Sequence, residues 1–218
     1  QEVSFTEKNG EIKVRADKDE VSARKVINCA GAMAADLAHQ IEIGLQYLCI
    51  PFLGSYKISK KTNRNPEKLI YPVPNPVNPF LGVHTTNTLD GYVKLGPNAL
   101  PVIGKEQYRL FSKFSLSDVK EFILAGLSLR KGQNLQLIKL GISESKKIKT
   151  KKALKEMSKI STGFESNKSW RRYPAGIRAQ IVNKETGKLE MDYIINQKLN
   201  SIHILNAVSP GWTSSYPF

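Results

Sequence analysis

"LIYPVPNPVNPFLGVHTT", residues 69–86, followed at once by "DGYVKLGPNALP", residues 90–101, decides the fold class. Four prolines lie between positions 72 and 79. Each fixes φ and removes a backbone donor, so no central strand runs through them. Two apolar strands are expected, one on either side of this loop. Asp90-Gly91 is a tight-turn signal, and the apolar residues after it supply another strand. Upstream, "LQYLCIPFLGSYKIS" (45–59) reads as a long apolar strand with a break at Pro51. Residues 46–103 are therefore expected to be mostly antiparallel sheet.

Working outward, Val3–Thr6 and Glu11–Ala16 alternate around Asn9-Gly10, which predicts a hairpin. A turn at Asp17–Glu20 leads to "RKVINCAG" (24–31), a short apolar strand ending in glycine, and "AMAADLAHQI" (32–41) then has helical spacing. Between 115 and 162 the period changes. "SLSDVKEFILAGLSLRK" (115–131) has an N-cap serine and apolar residues near helical spacing, and "SESKKIKTKKALKEMSK" (143–159) reads as a charged helix. Strands return in "GIRAQIV" (176–182), "LEMDYII" (189–195) and "SIHILNAV" (201–208). The pattern predicts a mixed α/β (α+β) chain. The dinucleotide fingerprint GxGxxG does not occur in it.

Composition narrows the function classes. Of the 218 residues, 40% are hydrophobic and 24% charged, which fits a globular protein. No apolar run of about 18 residues is present to span a bilayer, and residues 1–20 lack the apolar core of a secretory signal. The net charge of +14 is spread along the chain, without an aromatic RNA-binding motif or zinc knuckle. Nucleic acid is therefore not an expected partner; an acidic substrate or anionic lipid headgroups account for the charge equally well. Cys29 and Cys49 lie in apolar runs and are expected as buried free thiols in a reducing compartment, although a disulfide between them is the alternative. With no CxxC or Cys/His cluster, no metal site is expected.

The order of "VINCAG", "PFLGSY", "LIYPVPNPVNPFLGVHTT", "DGYVKLGPNA", "PAGIRAQ" and "LNAVSPGWTSS" resembles the FAD-dependent D-amino-acid-oxidase-like superfamily. Within it the chain looks like the L-2-hydroxyglutarate dehydrogenase/oxidase branch. The likeness runs from about residue 20 to 215, and its most specific parts are the proline-rich segment and "GPNA". It implies an oxidoreductase with FAD as cofactor that takes L-2-hydroxyglutarate, a small dicarboxylate, to 2-oxoglutarate. It also implies a Rossmann-like FAD-binding domain into which an antiparallel-sheet-plus-helices substrate domain is inserted. Residues 1–45 and 171–218 would belong to the first and 46–170 to the second. Family members carry a βαβ unit with the fingerprint before such a hairpin, and a helix after such a Thr-Ser-Ser. The expectation is a partial chain that has neither. A catalytically inactive remnant, or amine or glycerol-phosphate oxidation, are the alternative readings.

The resemblance also implies site residues. Arg178 in "GIRAQ" would clamp the substrate carboxylate, because a guanidinium meets a carboxylate with two parallel hydrogen bonds. On its residues alone it reads first as a surface arginine, or one paired with Asp192. His84 would accept the hydroxyl proton, because imidazole titrates near neutral pH; a core histidine satisfied by a carbonyl is the plainer reading. Tyr71 would bond the substrate or shape the pocket. A second carboxylate needs a second cation, for which Lys57, Lys94, Arg171 and Arg172 stand unranked. Cys29, Ala30 and Gly31 match the strand end that approaches the flavin nucleotide. Asn206, Ser209, Pro210, Gly211, Thr213 and Ser214 match the loop beside the isoalloxazine. Three positions depart from the branch: Leu53 stands for an arginine, Ser55 for an acid and Trp212 for a small residue. Such enzymes often pass electrons to a membrane quinone pool, so the expected location is cytoplasmic, with peripheral association at the inner membrane.

Overall fold

The computed structural model describes residues 3–8, 10–60, 67–73, 82–109, 112, 114–132, 150–161, 169–198 and 200–207. The expected hairpin forms from β1 (Val3–Lys8) and β2 (Glu11–Ala16), paired antiparallel. A third strand, β3 (Asp19–Ala23), pairs with β2 where only a turn was expected. β3 is almost wholly exposed and has no apolar alternation to betray it. Lys13 and Arg15 of β2 both reach Glu20 of β3 and tie the strands together.

β4 (Val26–Asn28) enters a second sheet of order β11-β12-β4, with β11 (Ile195–Lys198) and β12 (Ser201–Ile204). β4 and β12 run parallel, with His203 opposite Asn28. After β4 a 3-10 turn (Gly31–Met33) leads into α1 (Ala34–His39). α1 buries Ala34, Leu37 and Ala38 against Phe5, Ile41, Ile43 and Leu205.

The largest sheet has the order β10-β9-β5-β7-β6, with β8 also pairing with β5. Its axis is β5 (Tyr47–Lys60) against β9 (Arg171–Asn183). Pro51 does not break β5. It sits in register with Ala179, and its carbonyl still accepts the Val102 N–H at 3.0 Å. The irregularity lies instead at the Gly54/Tyr56 register shift, where β9 carries an extra residue. β6 (His84–Asn87), β7 (Tyr92–Gly96), β8 (Leu100–Pro101) and β10 (Lys188–Leu189) complete the sheet. Upstream of the proline loop only Ile70 pairs, as a single bridge to Thr85. The expected "LEMDYII" strand does not form: its ends, Leu189 and Ile195, belong to β10 and β11, and residues 190–194 connect the two.

Two helices pack on this sheet. α2 (Leu116–Lys131) starts at Ser115 with a capping box, Ser115 and Asp118 each satisfying the other's backbone N–H. Ala125 and Leu129 of α2 meet Leu48, Ile50, Phe52 and Val182. α3 (Thr150–Ser158) lays Ala153 and Met157 on Val83, Val93 and Leu95. Between α1 and α2, the buried Lys105 bridges Asp36 of one and Glu121 of the other. Burial alone would lower the Lys105 pKa, but the two carboxylates outweigh it and hold the ammonium above its usual value. Among the described residues no helix is long and apolar enough to cross a membrane.

Candidate functional site

Strand alternation decides which side chains meet. Phe52, Tyr56 and Ile58 leave one face of β5, and their partners Arg178, Tyr173 and Lys94 share that face. Gly96 lies two residues beyond Lys94 on the same side of β7, and its partner on β6 is His84. The register therefore gathers His84, Lys94, Tyr173 and Arg178 on one face. A contact agrees: Lys94 Nζ sits 4.2 Å from the centroid of the Tyr173 ring.

Tyr71 completes the group. The Thr85 N–H donates to the Ile70 carbonyl at 3.0 Å, which pins the chain before the proline loop against β6. One residue on, the Tyr71 ring stacks on His84 with centroids 4.4 Å apart. Behind them Gly82 presses on Pro72, and a Cβ at Gly82 would stand 2.8 Å from the Pro72 ring. A side chain at 82 would force these segments apart. Tyr71 is 47% exposed and His84 only 8%, so the tyrosine forms the outer wall of the group.

The His84 environment suits a proton acceptor. Its Nδ1–H donates to the Gly82 carbonyl at 3.0 Å, which fixes the neutral tautomer with the lone pair on Nε2. Burial lowers its pKa, the Gly82 bond raises it and Arg178 lowers it further, so the net shift is downward. The ring is therefore uncharged at neutral pH. Arg178 is half-buried, and no carboxylate among the described residues pairs with it, Asp192 included.

The other cations divide by face. Lys57 and Arg172 stand opposite one another on the reverse face of β5 and β9. Arg171 lies on the His84 face but farther out, over the Tyr92 ring at 5.4 Å. Lys94 lies nearest His84, in the diagonal position.

A second group lies at the carboxyl ends of the parallel pair β4 and β12. Cys29, Ala30 and Gly31 follow β4 and are all exposed; Leu205 and Asn206 follow β12. Gly31 has φ +59° and open space where a Cβ would stand. Asn206 donates through Nδ2 to the Glu190 and Asp192 carbonyls, which leaves its buried Oδ1 without a partner. Exposed backbone, an open glycine and an orphaned acceptor at the carboxyl ends of adjacent parallel strands fit an extended cofactor. Ser209, Pro210, Gly211, Thr213, Ser214 and Trp212 lie outside the described residues. His203 is fully buried in β12, where Nδ1 accepts from Asn28 Nδ2 at 3.1 Å. Cys29 and Cys49 are both free, and no metal-binding cluster occurs among the described residues.

Sequence reasoning did not foresee the Lys105 bridge or the contact of Gly82 with Pro72. Neither has a local signal: the Lys105 partners are distant in sequence, and the glycine makes sense only once Pro72 lies against it.

Comparison with known proteins bears on this arrangement. The family described as FAD dependent oxidoreductase matches residues 1–216. The chain is 34% identical over 217 residues to an L-2-hydroxyglutarate dehydrogenase of Salmonella houtenae, covering 98% of this chain and 50% of that protein. It is 35% identical over 211 residues to the Escherichia coli K12 protein of the same name, covering 96% and 49%. Against the human mitochondrial L-2-hydroxyglutarate dehydrogenase it is 33% identical over 210 residues, covering 90% and 43%. The chain thus spans about half the length of these relatives or somewhat less. Among solved structures, a dithionite-reduced L-alpha-glycerophosphate oxidase from Mycoplasma pneumoniae with FAD bound matches with a TM-score of 0.53 at 19% identity, over 97% of this chain and 45% of that one. That likeness concerns the fold alone.

Proposed function

The chain belongs to the FAD dependent oxidoreductase family, and from that premise we propose that it serves the FAD-dependent oxidation of L-2-hydroxyglutarate to 2-oxoglutarate. The observation that carries this reading is the convergence of His84, Tyr71 and Arg178 on one sheet face, from three separated segments. The relatives' common name supplies the substrate.

In this reading Arg178 holds the carboxylate next to the reacting carbon through paired N–H donors. His84 Nε2 takes the hydroxyl proton as the C2–H bond breaks. The Nδ1–H bond to Gly82 keeps Nε2 in the accepting form, and the Tyr71 ring fixes the plane of the imidazole. Lys94, held over Tyr173, is the proposed partner of the distal carboxylate. Cys29–Gly31 and Asn206 would hold the cofactor. When bound, FAD supplies the two-electron acceptor for the hydride that leaves C2. Domain limits of 1–45 and 171–218 for cofactor binding and 46–170 for substrate follow the same reading. So does onward electron transfer to a membrane quinone pool, with peripheral docking at the inner membrane favoured by the net charge of +14.

Equilibrium binding of the product tests the site. 2-Oxoglutarate is expected to bind the wild-type chain and to bind Arg178→Met about tenfold more weakly or worse, through loss of a charge-assisted pair. Equal affinities would remove Arg178 from the site.

A further inference from the structure

A cavity of about 730 Å³ opens beside the bulge of β9, and Tyr173, which carries Lys94 on its ring, forms part of its wall. None of Tyr71, His84 and Arg178 lines it. Three cations do: Lys57, Arg172 and Arg109, and no acidic side chain stands among them. Lys57 and Arg172 face each other directly across β5 and β9, and no carboxylate among the described residues pairs with either. Like charges opposite one another destabilise a sheet. Burial and then the Arg172 charge both push the Lys57 pKa down. Among the described residues, nothing offsets the repulsion between these two cations.

A second observation is independent of charge. Asn98 lines the same cavity and is 4% exposed. Its Oδ1 accepts from the Ser55 N–H at 2.9 Å and the Ser55 hydroxyl at 2.7 Å, which fixes the amide's orientation. That leaves the buried Nδ2 with no acceptor. Buried donors without partners are costly and uncommon in native proteins. Apart from Ser55 and Ser112, the rest of the wall is apolar or aromatic, with Leu53 and Tyr108. The volume lies in the range of small-molecule sites.

We infer that this cavity is a binding site for a small organic anion. Its carboxylate or phosphate head lies between Lys57 and Arg172 and accepts from Asn98 Nδ2, and its apolar body rests against Leu53 and Tyr108. The head-binding pair is distinct from the His84 group, since the register sends Lys57 and Arg172 to the other face of the strands, while Tyr56 and Tyr173 of the His84 face border the cavity at its edge. Both heads offer the same chemistry, several acceptor oxygens on one negative group.

Thermal shift and calorimetric titration test the site, with phenyl phosphate, benzoate and inorganic phosphate as probes at ionic strength matched with chloride. At least one organic anion is expected to bind about tenfold tighter than inorganic phosphate, because only it fills the apolar wall. Tighter binding of benzoate assigns a carboxylate head, and tighter binding of phenyl phosphate a phosphate head. Lys57→Met and Arg172→Met should each weaken that binding about tenfold. Their unliganded melting temperatures should stay level or rise as the repulsion goes. Should either variant melt well below the wild type, the Asn98 side-chain amide resonance of the wild-type protein gives the answer, since it must move with the probe. Organic anions no tighter than inorganic phosphate, well-folded variants that bind normally, or an unmoved Asn98 amide would each overturn the inference.

Discussion

The imidazole of His84 lies against the phenol of Tyr71, ring centroids 4.4 Å apart and planes 27° from parallel. The two residues stand on opposite sides of the proline-rich loop, and the fold closes the gap by bridging Ile70 to Thr85. With Nδ1–H bonded to Gly82, the ring has one free nitrogen, and that nitrogen is a base. His84→Asn is expected to lower turnover by about 10²–10⁴-fold, the usual worth of a general base, with a smaller effect on substrate affinity. Steady-state kinetics of the FAD-loaded protein measure both.

The sign of the His84 shift sets a pH profile. A depressed pKa means the base form persists below the ordinary value of about 6.5. Activity should therefore hold at neutral pH and fall only under more acidic conditions. Arg178 disfavours the imidazolium, so Arg178→Met should move the acid limb to higher pH. A limb that stays in place would separate the two residues.

Gly82→Ala tests the packing behind the site. Its methyl would stand 2.8 Å from the Pro72 ring, so one of the two segments must shift. A loss of about 1–3 kcal/mol in stability is expected. Activity should fall further than that loss explains, because the carbonyl that orients His84 moves as well. Denaturant unfolding together with kinetics reads the two effects apart.

Lys105→Met should destabilise by about 3 kcal/mol, since it leaves Glu121 and Asp36 without their shared cation. Glu121 also accepts the Cys49 N–H at 2.7 Å, so the damage should spread into β5. Urea unfolding of the variant checks this, and an unchanged midpoint would show that the bridge contributes nothing net.

Much of this fold was legible in the residues, for identifiable reasons. Asn9-Gly10 and Asp90-Gly91 are turn signals strong enough to place the strands beside them, and Ser115 with Asp118 marks the start of α2. The misses are equally physical. β3 is almost wholly exposed, Val21 included, and held by pairing and ion pairs, not by a buried face. Pro51 looked like a break because a proline ends most strands, yet here its carbonyl still finds a donor. At the site, the resemblance pointed to Tyr71, His84 and Arg178 one by one. Their sharing of a face depends on register across β6, β7, β5 and β9, which periodicity within one strand does not encode. The division of the four candidate cations has the same origin.

That division yields a specificity test. Lys94→Met should lower affinity for 2-oxoglutarate about tenfold while leaving 2-oxobutyrate, which lacks the distal carboxylate, unchanged. An equal loss for both acids would mean that Lys94 acts on the fold and not on the distal carboxylate.

The most direct test of the central claim is anaerobic bleaching of the flavin absorption band. The protein is loaded with FAD, freed of excess cofactor and mixed with L-2-hydroxyglutarate or its D enantiomer. The account expects the L form to bleach the band, the D form to leave it, and His84→Asn to slow the bleaching about 10²-fold or more. Bleaching by neither enantiomer, or at the same rate in the variant, would contradict it.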